Sequence, residues 1–153
     1  MTIDATSTSF DSRVSVFKIN DGTTLRDISA SITGATFPTT WKINDITTYG
    51  SVGFRGKPSI DDSKFTLDLI WNQVTNVGSQ PVIGVMHYAQ GPVGNSTNSR
   101  AFEYYPAGTT AGNLNITGNC WCPHYEINGR VGNAIAIRAD FVAENGVNFG
   151  VAA

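Results

Sequence analysis

Charge is scarce in this 153-residue chain: Asp, Glu, Lys and Arg together make up 14% of it, where about 25% is usual for a soluble domain. Ten cationic and twelve anionic side chains leave a formal net charge of −2. There is no basic stripe of the kind that grips a phosphate backbone, which argues against tight nucleic-acid binding. Long apolar runs are missing too: nothing approaches the 18 or so residues that signal a membrane-crossing helix. The N-terminal "MTIDATSTSF" lacks the cationic start and apolar stretch of a signal peptide. The expectation is a soluble protein made and kept in a cytosol-like compartment, with no membrane partner. Catalytic signatures are equally sparse. There is no G-x-S-x-G elbow, no H-E-x-x-H and no P-loop, and the adjacent Asp61 and Asp62 read as a solvated turn rather than a carboxylate pair. No enzymatic activity, catalytic residue or cofactor is expected.

Polarity comes instead from 17 Thr, 13 Asn and 16 Gly, which favour strands and turns over charged helices. The class is mainly β. The length suits one domain, able to bury about 70% of the surface its unfolded chain exposes. Asn95 and Asn115 fit the glycosylation pattern, but without a secretory signal that reading is set aside.

The most chemical-looking stretch is "NCWCPHYEI" (residues 119–127), which holds both cysteines and His124. On a strand, Cys120, Cys122, His124 and Glu126 would share one face, with neighbours roughly 6.6 Å apart. That spacing is too wide for an undistorted disulfide, whose Cβ atoms lie about 3.8 Å apart. Structural zinc sites use Cys-x2-4-Cys rather than Cys-x-Cys, and only His87 remains to complete a ligand set. The residues are read as structural, with no metal.

Along the chain, "SRVSVFKI" (Ser12 to Ile19) alternates as a strand and "NDG" supplies a turn. "TLRDISASITGATF" reads as strand or irregular. "KFTLDLIWN" (Lys64 to Asn72) sets Phe65, Leu67, Leu69 and Trp71 against Lys64, Thr66, Asp68 and Ile70, the pattern of a half-buried strand. In "QPVIGVMHYAQG", Val82, Ile83, Met86 and Ala89 fall at helical spacing, with Pro81 in the first turn and Gly91 at the end. "GPVGNSTNS" is a loop. The last third repeats strand and turn: "RAFEYYP", "LNITGNCWCPHYEI" and "AIAIRADFVAE", as in an antiparallel sandwich or barrel.

Between residues 36 and 63, breakers at Pro38, Gly50, Gly53, Gly56 and Pro58 interrupt a segment studded with Phe37, Trp41, Ile43, Ile46, Tyr49 and Phe54. Loops this long are usually functional, and a solvated linker gains nothing from Trp or Phe. Two readings stand: a hairpin folded back on its own core, or an arm whose apolar residues another chain buries. The favoured contact set is Phe37, Trp41, Ile43, Ile46, Tyr49, Phe54 and Arg55, the last within a short cationic tip, "FRGK".

The C-terminal half resembles the major tail tube proteins of long-tailed, siphovirus-type bacteriophages. Their pattern "Y-x-P-x-G-x-T-A-G", a strand ending "T-G-x", then "S-Y-E-V" and "F-S-A-D-F" has counterparts here. These are "EYYPAGTTAGNLNITG" (Glu103 to Gly118), "HYEING" (His124 to Gly129) and "IAIRADFVAENG" (Ile135 to Gly146). Upstream, "ITTYGSVGFRGKPSIDDSKFTLDLIWN" is similar to the family's "TTTFG" segment, its glycine-bearing loop and the strand that follows, so the likeness runs from about Asp27 to the end. It implies a β-sandwich- or barrel-like tail tube fold with one flanking helix and a long extended loop. It also implies one domain over residues 1–153, with an N-terminal arm over about 1–12 and a long arm over about 36–63. Six copies would form a ring by joining sheets into one barrel, and stacked rings would conduct double-stranded DNA without binding it specifically. Implied partners are other copies of the chain and tape-measure, tail-tip and tail-terminator proteins; the implied location is the virion tail, and the host cytoplasm during assembly. A tail terminator, a type VI secretion tube and a carbohydrate-binding sandwich using Trp41, Trp71 and Trp121 are the alternatives. The family carries no proline where Pro123 stands. Proline removes a ladder donor, so a kink, bulge or edge is expected there.

Overall fold

The structure is a computed structural model, and it describes residues 14–38, 41–50, 52–53, 56–61, 63–90 and 99–153. The expected N-terminal arm, the loop over 91–98 and Phe54, Arg55 and Asp62 lie outside the described residues.

Among the described residues nine strands form in chain order: β1 (Val16–Asn20), β2 (Leu25–Asp27), β3 (Ile32–Thr36), β4 (Trp41–Asp45), β5 (Gly56–Asp61), β6 (Lys64–Ile70), β7 (Arg100–Tyr105), β8 (Leu114–Asn128) and β9 (Ala136–Val151). Seven make one antiparallel sheet in the order β2-β1-β7-β8-β9-β6-β3, and β4 with β5 makes a separate hairpin. Before the short helix α1 (Val85–Gln90), the chain takes a wide π-type turn over Gln80–Gly84. Of the strand read from Ser12 to Ile19, Ser12 and Arg13 lie outside the described residues, and Val14 lies in a 3-10 turn before β1 and is exposed.

The sheet is not flat. β1 and β6 stand four strand steps apart, which in a flat sheet would be roughly 19 Å. Yet the rings of Phe17 and Phe65 are 6.2 Å apart. The sheet therefore curls over itself, and alternate residues of every long strand meet inside. Phe17, Ile19, Phe102, Ile116, Phe65, Leu67, Leu69, Ile137, Ala139 and Phe141 form that core, joined by Val82, Ile83 and Met86 of the helical segment. The burial pattern of β6 follows the alternation read from its sequence.

β8 and β9 make the curl possible because each serves two partners. The first half of β8 pairs with β7 through Arg100↔Cys120 to Tyr104↔Ile116. Beyond it, β9 is the one strand among the described residues that pairs with β8, from His124↔Asp140 to Asn128↔Ala136. The first half of β9 pairs with β6 as well. The result is two layers sharing one long hairpin. One layer is β2-β1-β7 with the near halves of β8 and β9; the other is the far half of β8, the first half of β9, β6 and β3.

Register shifts mark the bend, one between Thr117 and Asn119 and one between Trp121 and His124. At the second, three steps on β8 span two on β9, so one extra residue enters at Pro123, as its missing donor demands. The bulge corrects the expected face pattern. Cys120 and Cys122 are buried, but the added residue flips the parity, turning His124 and Glu126 outward and Tyr125 against the core. At the first bend, Gly118 lies under Phe102: a Cβ there would sit 3.2 Å from the Phe102 ring and from the Gly146 carbonyl.

The helix differs from its sequence reading as well. A π-type turn closes i to i+5 rather than i to i+4, so the buried stripe shifts by one residue. Ala89 is exposed and Gln90 is buried instead.

Candidate assembly surface

The second layer has a free strand on each side among the described residues: β3 (Ile32–Thr36) at one edge and His124–Asn128 of β8 at the other. Each free stretch is five residues long. Unpaired edges are the part of a sheet that most readily takes up another chain.

The far end of the β8 edge is defined by a side chain. The Gln90 amide donates to the Cys120 carbonyl at 3.2 Å and accepts from the Cys122 N–H at 2.7 Å, as a neighbouring strand would. The ring of His87 stands 2.7 Å, through Nδ1, from the Cys122 carbonyl. Helix α1 thus occupies β8 up to the bulge and leaves the ladder open after it. The Tyr125 hydroxyl, half-buried below the bulge, donates to Gln80 Oε1 at 2.7 Å. Sequence reasoning missed Gln90, although Ile83 lies one heptad before it; the signal was masked by the assumed α-helical phase.

Both thiols are free. Burial pushes Cys120 well above the usual thiol range, and burial with the nearby Asp140 carboxylate pushes Cys122 up to about 12. Neither ionises near neutrality, and the thiolate is the form that binds metal or reacts. His124 points away from both, and among the described residues no group of three His, Cys, Asp or Glu is placed to hold a metal ion.

On the outer face of the second layer, side chains line up in rows across the strands. Glu126, Arg138 and Asp68 form one row; His124, Asp140 and Thr66 form the next. The Thr66 hydroxyl donates to Asp140 Oδ1 at 2.8 Å, Arg138 stands 3.8 Å from Asp140, and His124 stands 3.6 Å from Glu126. With Lys64, this face carries two cations and three carboxylates, a formal charge of 2 − 3 = −1 with His124 neutral.

The β4–β5 hairpin is the other feature that exposes apolar side chains among the described residues. Ile43 is 62% exposed, Ile46 46%, and Tyr49 and Val52 near its tip are fully exposed. Trp41 is placed in β4 by its backbone alone, opposite Asp61. Phe37 is placed differently from the rest: it stacks on Phe65 at 4.6 Å and on Tyr104 at 4.5 Å, at the root of the hairpin. The described side chains of Trp71 and Trp121 do not share a platform. Trp71 packs toward the core, whereas Trp121 is in register with Val142 on the outer face.

No protein-family model matches the chain, and no curated protein matches it in sequence. Among solved structures, it is similar to the SPP1 tail tube, with a TM-score of 0.71 at 10% identity over 94% of this chain and 80% of that one. It is also similar to a chain in the virion of a native gene transfer agent particle (0.67, 10%, 93% and 99%). A third likeness is to a chain of an extracellular contractile injection system's sheath–tube complex in the extended state (0.66, 10%, 96% and 95%). The tail of an empty gene transfer agent particle, matched at 0.67 and 9% identity, carries C6 symmetry. Across nearly its whole length, the chain has the mainly antiparallel β fold of these tail and tube assemblies, with one short helix.

Proposed function

We propose that the chain is a virion structural protein, a tail tube subunit whose six-membered rings stack into a conduit for double-stranded DNA. The observation that carries this is the strand count of the second layer. It has four antiparallel strands and a free edge on each side. In a ring all copies point the same way along the axis, so an even count brings β3 of one copy against β8 of the next in antiparallel sense. The other layer has five strands, and closing it end to end would need a parallel pair, the weaker geometry. Six copies of four strands make a 24-stranded barrel. At about 4.8 Å between strands and a tilt near 40°, its backbone would be roughly 50 Å across, wider than the porin barrels that already hold water channels.

The outer face of the second layer then lines the lumen. At −1 per copy it gives −6 per ring, which repels phosphate and lets DNA slide. The apolar hairpin, with Ile43, Ile46 and Tyr49 exposed and Trp41, Phe54 and Arg55 in the same segment, is assigned to contacts with neighbouring copies. Phe37 is its anchor on the core. Tape-measure, tail-tip and tail-terminator proteins are the expected partners, the virion tail is the expected location, and host cytoplasm is the site of assembly. The role asks for no catalytic residue. Likeness to a chain of a contractile injection system's sheath–tube complex supports a second reading, an injection-type tube, and a sheath gene beside this one would favour it.

Negative-stain microscopy and sedimentation of the purified protein test the proposal. Rings or tubes that leave the mobility of added DNA unchanged are expected. A monomer at every concentration and salt, even with tail-tip proteins added, would count against it.

A further inference from the structure

We propose that Asn128 is a site of spontaneous deamidation, selected by the fold from three sequence candidates. Asn-Gly occurs twice, at 128–129 and 145–146, and Asp-Gly once, at 21–22. In each, glycine offers a backbone nitrogen with no side chain to shield it, and the residue before it carries a carbonyl carbon within reach of a five-membered ring. At Asn128 the Gly129 nitrogen loses its proton to a base and attacks Cγ. The Cγ–nitrogen bond of the side-chain amide breaks, and ammonia leaves with the proton it gains. Water then opens the cyclic imide at either carbonyl, giving aspartate or isoaspartate. No oxidant or reductant is needed.

The three sites differ in how they are held. The Asp21 carboxylate accepts from Thr23 N at 2.9 Å, Thr24 N at 3.0 Å, Thr23 Oγ1 at 2.7 Å and Arg26 Nε at 2.7 Å, so it is clamped as a charged, poorly electrophilic group. Asn145–Gly146 sits mid-strand in β9, in the bulge between the ladder pairs Asn119↔Glu144 and Thr117↔Asn148; paired strand on both sides and close approach to Gly118, where a Cβ would lie 3.2 Å from the Gly146 carbonyl, keep it from a fraying end. Asn128 is exposed and is the last residue of β8, in the final pair with Ala136, and one of its two sides is free of any described strand. Gly129 follows outside the strand, and a Cβ on it would meet only Ile135 Cγ1, at 3.9 Å. Strand ends sit at the low end of local stability, where the backbone opens without global unfolding.

If the tail tube reading holds, the position gives the reaction a consequence. Alternation places Asn128 on the lumen face with His124 and Glu126. Aspartate there adds six negative charges per ring, and isoaspartate, with a methylene inserted in the backbone, spoils the edge that meets the next copy. Subunits left unassembled would age out of the assembling pool, while a neighbour's β3 would shield those already in a tube.

The test is incubation of the folded full-length protein in mildly alkaline buffer, followed by peptide mass spectrometry and isoaspartyl methyltransferase labelling. The peptide holding Asn128 should show the mass change of NH2 replaced by OH before the peptide holding Asn145 does. Gly129→Ala, which the open space permits, should suppress it, and in urea the two Asn-Gly sites should convert alike. An Asn128 that keeps its amide in the folded protein, or does no more than keep pace with Asn145, overturns the proposal. Assembled tubes form a separate arm. Retained amide supports burial of this edge, whereas conversion at the free-subunit rate refutes the edge placement without touching the modification site.

Discussion

At Gln90 a side chain takes over the work of a strand, satisfying Cys120 and Cys122 of β8 where β7 stops. Gln90→Leu leaves a buried N–H without a partner, and the expected loss is about 1–3 kcal/mol, read from the urea midpoint. The turn after β1 depends on Asp21 in a different way. The Thr24 N–H, Arg26 guanidinium and Thr23 donors favour its charged form and hold its carboxyl well below the usual carboxylate range. A carboxylate lowered on folding stabilises above its unfolded value, about pH 4, and loses that contribution as pH falls toward the folded value. Asp21→Asn should therefore be less stable than wild type at neutral pH, and the gap should narrow in acid. A constant gap between about pH 7 and pH 3 would show that ionisation is not the cause.

Elements were legible in the sequence to the extent that their periods were undisturbed. β6 shows strict alternation, so Leu67 is found fully buried as expected, and Leu67→Ala should cost about 2–5 kcal/mol in denaturant unfolding. The break at Pro123 was legible because a proline cannot donate. Its consequence for the faces was not, since one inserted residue inverts every assignment after it and places His124 away from the thiols. The π-type turn did the same to α1, moving the buried position from Ala89 to Gln90. In the segment over 41–61, Ile43, Ile46 and Tyr49 are exposed apolar residues, whereas Phe37, which the sequence groups with them, belongs to the aromatic stack of the core. Tyr49→Ser at its exposed tip should leave the melting temperature unchanged while lowering the yield of rings or tubes. A lower melting temperature with normal assembly would return the hairpin to the role of a simple surface loop.

The free edges belong to the whole molecule, because they exist only once seven strands have curled into two layers. Nothing local announces that β3 and residues 124–128 of β8, nearly ninety positions apart in sequence, bound the same four-stranded layer. Lysine on an edge strand is a known guard against edge pairing. Ile127 is exposed at that edge, so Ile127→Lys should abolish ring formation while the monomer's unfolding curve stays where it was. Rings from this variant would exclude the β8 edge as the ring contact.

The long β8–β9 hairpin also fixes the order in which the protein can be completed. β7 and β6 both wait for it: one pairs with β8 and the other with β9, and these strands fill residues 114–151. During synthesis, therefore, the first hundred or so residues have no central strands to join them, and the pairings that close the sheet are among the most distant and slowest to form. The subunit becomes competent only once β9 has left the ribosome. Nascent chains crowded on one message thus lack the β8 edge that the ring contact needs, while β6 and β7 wait without their partners β9 and β8, the exposed state in which wrong pairings form.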